Sequence, residues 1–108
     1  MSLTLEAEIP PLRIDRDGVV RIGPSRVPLD TIIEAFDEGY SAEAIIEQYP
    51  TVELGDVYAV IAYYLHHRPE VDAYLGGRRQ EADRVRHDYE ARYPRKPGLR
   101  ERLMAKRL

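Results

Sequence analysis

The residue types that most often carry catalysis are sparse in this 108-residue chain, which has three histidines and no cysteine. Its serines, Ser2, Ser25 and Ser41, stand outside the glycine-flanked turn that exposes a nucleophilic serine, and the sequence has no glycine-rich phosphate loop or zinc-protease motif. His66 and His67 are neighbours, so their side chains diverge by about 100° on a helix and cannot face one metal ion together. The sequence therefore predicts a protein that is not an enzyme and uses no metal or cofactor.

A basic segment near the C-terminal end offers a clearer binding chemistry. Its cationic side chains surround several leucines, so it could lay an apolar strip in a groove while guanidinium groups pair with carboxylates or phosphates. We expect so short and charged a segment to fold only on binding. The predicted partner-binding residues are Arg95, Lys96, Leu99, Arg100, Arg102, Leu103, Lys106 and Arg107. The alternative is a solvated tail or a weak membrane-surface helix.

Charge is divided unequally along the chain. Residues 1–68 hold 5 Arg against 12 Asp and Glu, a net charge of -7, whereas residues 69–108 hold 11 Lys and Arg against 7 Asp and Glu, a net charge of +4. This asymmetry indicates an acidic head and a basic interaction arm. A plainer reading is that 14 of the 16 basic residues are arginine, as genomic base composition alone can produce.

The cellular location of the protein is predicted from segments and residues that the sequence lacks. It has no apolar run of the roughly 18 residues that a membrane span needs, and its first residues have neither the basic start nor the apolar stretch of a signal peptide. The absence of cysteine fits a reducing environment. We therefore expect a cytoplasmic protein with no membrane partner.

Hydrophobic spacing predicts the elements that must position these groups. Short apolar segments flank Asp17-Gly18, a pair typical of a β-hairpin turn. From Leu29 the apolar residues recur with helical spacing, and Gly39 ends that first helix. Ser41 is a good N-cap for a second helix, and a third runs from near Glu53 to about Arg68.

The predicted fold class is mainly α: a small N-terminal β-hairpin, a three-helix core resembling a helix-turn-helix, and a long C-terminal helix with a basic tail. Gly76-Gly77 is expected to interrupt that last helix, because each glycine costs about 1 kcal/mol relative to alanine. The predicted domains are a flexible N-terminus at 1–11, a core domain at 12–75 and a partner-binding arm at 76–108.

The second and third helices have the proportions of a DNA-binding helix-turn-helix. However, the start of the third helix carries Glu53 and Asp56 and no base, and phosphate contacts need Lys or Arg. Any DNA contact is therefore predicted for the basic tail or for Arg13, Arg21 and Arg26. The third helix is apolar on most sides, which favours a central position or a homodimer interface formed by Tyr58, Ile61, Tyr64 and Leu65.

Four runs together resemble the domain of unknown function 433 family, which is regarded as VapB-like antitoxin. They are SRVPLDTII at 25–33, GYSAEAI at 39–45, YP at 49–50 and DVYAVIAYY at 56–64, within a resemblance that spans about Leu12 to Leu75. The resemblance implies a homeodomain-like helix-turn-helix fold, usually dimeric, and partnership with a PIN-like ribonuclease toxin. It implies no catalytic residue.

These observations lead to a hypothesis with two alternatives. The leading one is a bacterial type II antitoxin in which residues 12–68 dimerise and are a candidate for binding operator DNA, while residues 78–108 neutralise the toxin. The first alternative is a DNA-binding transcriptional regulator without a toxin. The second is a structural or adaptor homo-oligomer.

Overall fold

The computed structural model describes residues 2–93, so the predicted partner-binding residues from Arg95 to Arg107 lie outside the described part. Two strands precede four helices along the chain. Their bounds are β1 Leu12–Ile14, β2 Val20–Ile22, α1 Leu29–Asp37, α2 Ala42–Gln48, α3 Leu54–His66 and α4 Arg68–Arg92. This arrangement of a small hairpin, then helices, with a long last helix confirms the predicted fold class.

The hairpin forms where the Asp-Gly pair predicts it. Strands β1 and β2 pair antiparallel, with Arg13 opposite Arg21, and Gly18 takes a φ of 81° that suits the turn. The Asp15 carboxylate stabilises the turn, because its Oδ1 accepts from the backbone N–H of Asp17 and Val19 at 2.9 and 3.0 Å. A single side chain therefore fixes both the turn and the start of β2.

The core lies among α1, α2, α3 and the inner face of β2. In α1 the side chains of Leu29, Ile32, Ile33 and Ala35 are buried, and the first three keep the helical spacing that the sequence predicts. Branched aliphatic side chains fill the centre of this core at less than 2% exposure. They are Ile22, Ile32, Ile33, Ile45, Val57 and Val60.

Local signals end α1 and begin α2 as predicted. Gly39 has a φ of 96°, and the N–H of Tyr40 donates to the carbonyl of Ala35 at 3.1 Å, which closes the end of α1. The Ser41 Oγ accepts from the N–H of Ala44 at 3.1 Å and caps α2. A tight αα connection therefore sets the angle between the first two helices.

The predicted interruption at Gly76-Gly77 is wrong, because α4 continues unbroken from Arg68 to Arg92. Neither glycine has a positive φ, so both keep helical backbone. The helix-propensity cost of two glycines is only about 2 kcal/mol in total, which a 25-residue helix can sustain through its other backbone hydrogen bonds. Val71 and Leu75, on the turns before the glycines, are both buried.

Within this architecture the chain divides into two compact units between Val71 and Asp72. The first holds the hairpin and α1 to α3, and the second begins in α4. The predicted limits of the N-terminus, the core domain at 12–75 and the arm at 76–108 stay a prediction.

Substituting Ile32→Ala tests the core. Ile32 is fully buried, so the loss of its side chain should lower the free energy of unfolding by about 2–5 kcal/mol in urea titrations. Val85→Ala is the control, because Val85 is 57% exposed and its truncation should change stability by less than about 0.5 kcal/mol. Equal effects of the two substitutions would contradict this core.

Candidate functional site

The outer face of α3 carries three of the four predicted interface residues. Tyr58 and Leu65 are about half exposed, and Ile61 is partly buried beside them. Leu54, one turn before Tyr58, is also exposed on this face. Sequence analysis missed Leu54, although its spacing of four residues from Tyr58 was a usable signal. We call Leu54, Tyr58, Ile61 and Leu65 the α3 stripe.

The fourth predicted interface residue, Tyr64, lies inside the protomer. Its side chain is 2% exposed and packs edge-on against Phe36, with ring centroids 6.2 Å apart. Arg68 donates from Nη2 to the Tyr64 hydroxyl at 3.1 Å, and its guanidinium carbon lies 4.9 Å from the centre of that ring. Tyr64 therefore closes the protomer core, and the interface itself stays a prediction for the other three residues.

A carboxylate is held against the α3 stripe. The Tyr58 hydroxyl donates to Oε1 of Glu43 on α2 at 2.6 Å. This hydrogen bond lowers the pKa of Glu43, and the same carboxylate raises the pKa of Tyr58. Glu43 is thus kept ionised on the face where a DNA-reading helix would need positive charge.

Positive charge is absent from all three core helices. From residue 27 to residue 67 the sequence has eight Asp and Glu and no Lys or Arg. The face formed by α2 and α3 therefore combines apolar and acidic groups, a composition that suits contact with protein better than contact with phosphate. The sequence already carried this signal along the whole of α1 to α3, beyond the start of the third helix.

Two of the three predicted DNA-binding arginines hold the protein's own backbone. Arg13 donates from Nε to the carbonyl of Gly23 at 2.8 Å and from Nη2 to that of Ser25 at 2.7 Å. Arg21 donates from Nη1 to the carbonyl of Arg26 at 2.6 Å and from Nε to Asp15 Oδ2 at 3.0 Å. Arg26 is exposed, and within residues 2–93 its guanidinium makes no hydrogen bond. Of these three arginines, Arg26 alone presents a guanidinium without an internal role within residues 2–93.

The loop at 23–28 is consequently well defined. The buried Ser25 donates from Oγ to the carbonyl of Ile22 at 2.6 Å and accepts from the N–H of Val27 at 3.2 Å. Gly23 has a φ of 50°, and a Cβ there would lie 3.0 Å from Asp56 Oδ2, so a larger residue would meet α3. The loop borders an open depression lined also by Thr31, Tyr49 and Thr51. We find no pairing of nucleophile and base in its lining.

A second exposed surface lies on α4. Residues 79–93 are exposed throughout, and Val85, Tyr89 and Tyr93 follow one another at intervals of four residues on one side of the helix. The Tyr89 and Tyr93 rings lie 5.0 Å apart. We call Val85, Tyr89 and Tyr93 the α4 stripe. It is an apolar row on a helix whose other side chains are mostly charged.

Substituting Asp15→Asn tests the electrostatics of the hairpin. The N–H of Val19, the Arg21 guanidinium and the N–H of Asp17 together hold the Asp15 pKa below its ordinary 3.8. Because the folded pKa is the lower one, the stabilising effect of this carboxylate is complete above about pH 5 and disappears as the pH falls through the folded pKa. The difference in unfolding free energy between the native protein and the variant should therefore shrink steadily below about pH 4.

Asp17→Asn is the matched control in the same turn. Its exposed carboxylate makes no hydrogen bond or ion pair within the described residues. This variant should follow the native protein closely over the same pH range. A stability difference for Asp15→Asn that stays constant down to pH 2 would contradict the assignment.

Among residues 2–93, no helix is long and apolar enough to cross a membrane, and no group of three or more His, Cys, Asp or Glu residues could hold a metal ion.

Comparison with known proteins adds one finding. No curated protein and no solved structure matches the chain. A family model described as "Protein of unknown function (DUF433)" matches residues 16–64, which run from the hairpin turn through most of α3. Over these residues the chain is similar to the DUF433 family, as the sequence motifs predict.

Proposed function

We propose that this protein is the antitoxin of a type II toxin–antitoxin system and neutralises a PIN-like ribonuclease toxin through α4 and the basic segment after it. The α4 stripe carries this proposal. Val85, Tyr89 and Tyr93 are each more than half exposed within residues 2–93, at the spacing with which a helix fits a groove on a protein. Aromatic residues supply much of the binding energy at protein interfaces.

The charge of the following segment supports a partner with an acidic site. Residues 94–108 hold six Lys and Arg and a single acid, Glu101. PIN-type nucleases bind their metal with a cluster of carboxylates, and a guanidinium can form two parallel hydrogen bonds with one carboxylate. An arginine of this segment would then occupy the nuclease site, and the α4 stripe would supply the apolar contact beside it.

The family resemblance supports the same function. Residues from about Leu12 to Leu75 resemble the DUF433 family, which is regarded as VapB-like antitoxin, and the resemblance implies partnership with a PIN-like ribonuclease toxin. An exposed apolar row on a helix is typical of an interaction site. A bound partner would cover the α4 stripe and remove it from water.

Binding of operator DNA by the core has weaker support. The helices α1 to α3 contain no Lys or Arg, and Arg13 and Arg21 already bond the backbone of the 23–28 loop. A DNA-binding regulator without a toxin would have to rely on Arg16, Arg26 and the C-terminal segment. A structural or adaptor oligomer would instead use the α3 stripe. Autoregulation through the core therefore stays a prediction.

The substitution Tyr89→Asp tests the proposed function. It puts a charge into the centre of the α4 stripe, and losing an aromatic contact worth about 2 kcal/mol should weaken binding to the toxin about 30-fold. The measurement is the dissociation constant for the nuclease encoded beside this protein's gene. Growth rescue when the two proteins are co-expressed provides a second readout.

His87→Asp is the matched control, because residue 87 lies about 200° around the helix from residue 89 and receives the same new charge. This variant should bind within about threefold of the native protein. Equal binding by the two variants would contradict the role of the stripe. No binding of the native protein to any neighbouring nuclease would contradict the antitoxin function itself.

A further inference from the structure

Residues 3–9 alternate between apolar and polar types. Leu3, Leu5, Ala7 and Ile9 are apolar, and Thr4, Glu6 and Glu8 between them are polar. This period of two is typical of a β-strand with one buried face. In the monomer, however, these residues form no strand, and Leu3, Leu5 and Ile9 are 84%, 86% and 91% exposed. An amphipathic strand pattern therefore precedes the hairpin without a strand partner within residues 2–93, and its end at Glu8 and Ile9 borders a depression on α3.

The hairpin has a free edge. Asp15 donates its N–H to the carbonyl of Val19, and Gly23 donates its N–H to that of Pro11. In an antiparallel ladder of this register, the hydrogen-bonding groups of Arg13 face β2, and those of Leu12 and Ile14 face away from it. The N–H of Leu12 bonds the carbonyl of Pro10. The carbonyl of Leu12 and the N–H and carbonyl of Ile14 therefore point to the free edge of β1, where an added strand could bond them.

The two faces at this edge match the alternating segment. Ile14 shares the inner face of the hairpin with the buried Ile22, yet its own side chain is 73% exposed. Arg13 lies on the outer face and is exposed. A strand added beside β1 would cover Ile14 with its apolar residues and place its glutamates on the face of Arg13, where opposite charges in neighbouring strands attract.

Pro10 and Pro11 oppose pairing of this segment with its own β1. The common two-residue hairpin turns need a positive φ at their first central residue, and proline fixes φ near -65°. Parallel pairing would need a crossover of a dozen or more residues, whereas only Pro10 and Pro11 separate residue 9 from β1. The two prolines therefore disfavour a tight turn back onto β1, and a second copy of the chain offers the same edge without this constraint.

We propose that residues 3–9 of one copy pair as a third strand with the β1 edge of a second copy, and that the exchange is reciprocal. Reciprocal exchange is self-complementary, because each copy offers one strand and one edge under two-fold symmetry. The α4 stripe and α3 are not needed for this contact, so it goes beyond the proposed function. Residues 1–11 are predicted from sequence to be a flexible N-terminus, whereas this proposal gives residues 3–9 a structural role.

The amide of Ile14 reports this pairing directly. In the full-length purified protein at high concentration, we expect its hydrogen exchange to be slowed at least about tenfold relative to a dilute sample, because the added strand would accept this N–H. Leu5→Asp should restore fast exchange, since it places a charge on the apolar face. Thr4→Asp is the matched control on the polar face and should keep the protection. Both positions are exposed in the monomer, so neither variant should unfold it.

A mixed sample identifies which copy supplies the strand. One preparation is labelled with nitrogen-15 and the other with carbon-13, and the two are unfolded and refolded together. Nuclear Overhauser contacts between residues 3–9 of one label and Leu12 or Ile14 of the other would support the proposal. Contacts confined to a single label, or fast exchange of the Ile14 amide at every concentration, would overturn it.

Discussion

The distribution of positive charge constrains what this protein can bind. No Lys or Arg occurs from residue 27 to residue 67, so apart from His66 the packed helices α1, α2 and α3 present only apolar, neutral polar and acidic side chains. The Tyr58 hydroxyl adds to this by keeping Glu43 ionised on the outer face of α2 and α3. A polyanion approaching this face would meet only like charge. Positive charge remains available in the hairpin region and from Arg68 onward.

The hairpin region uses two of its four arginines internally. Arg13 and Arg21 replace the missing sheet partners of the 23–28 loop by donating to three of its carbonyls, and Asp15 orients Arg21 in turn. The loop places Gly23 against Asp56 and so connects the hairpin with the start of α3. These hydrogen bonds give the hairpin a structural purpose in the region matched by the family model. They leave the segment after α4 as the main cationic part of the chain, because α4 itself holds six Arg against six Asp and Glu.

Much of the fold could be predicted from sequence because its signals are local. Asp17-Gly18, Gly39 and Ser41 each act within a few residues, and each is confirmed. The α3 helix was harder, since it is apolar almost all round and periodicity cannot say which side faces the core. Tyr64 therefore looked like an interface residue although it packs against Phe36. The roles of Arg13 and Arg21 depend on carbonyls ten and five residues away, whose orientation is set by the folded loop. The interruption predicted at Gly76-Gly77 is wrong because the low helix propensity of glycine was considered alone, without the backbone hydrogen bonds of the rest of a long helix.

The most direct test of this account is hydrogen exchange of the full-length protein with and without the neighbouring nuclease. If α4 and the basic segment after it bind the nuclease, residues 79–108 should gain protection from exchange and the outer face of α3 should gain none. Exchange rates at Tyr58 and Leu65 should be the same in both samples. Protection at the α3 stripe, with unchanged exchange in residues 79–108, would contradict the central claim.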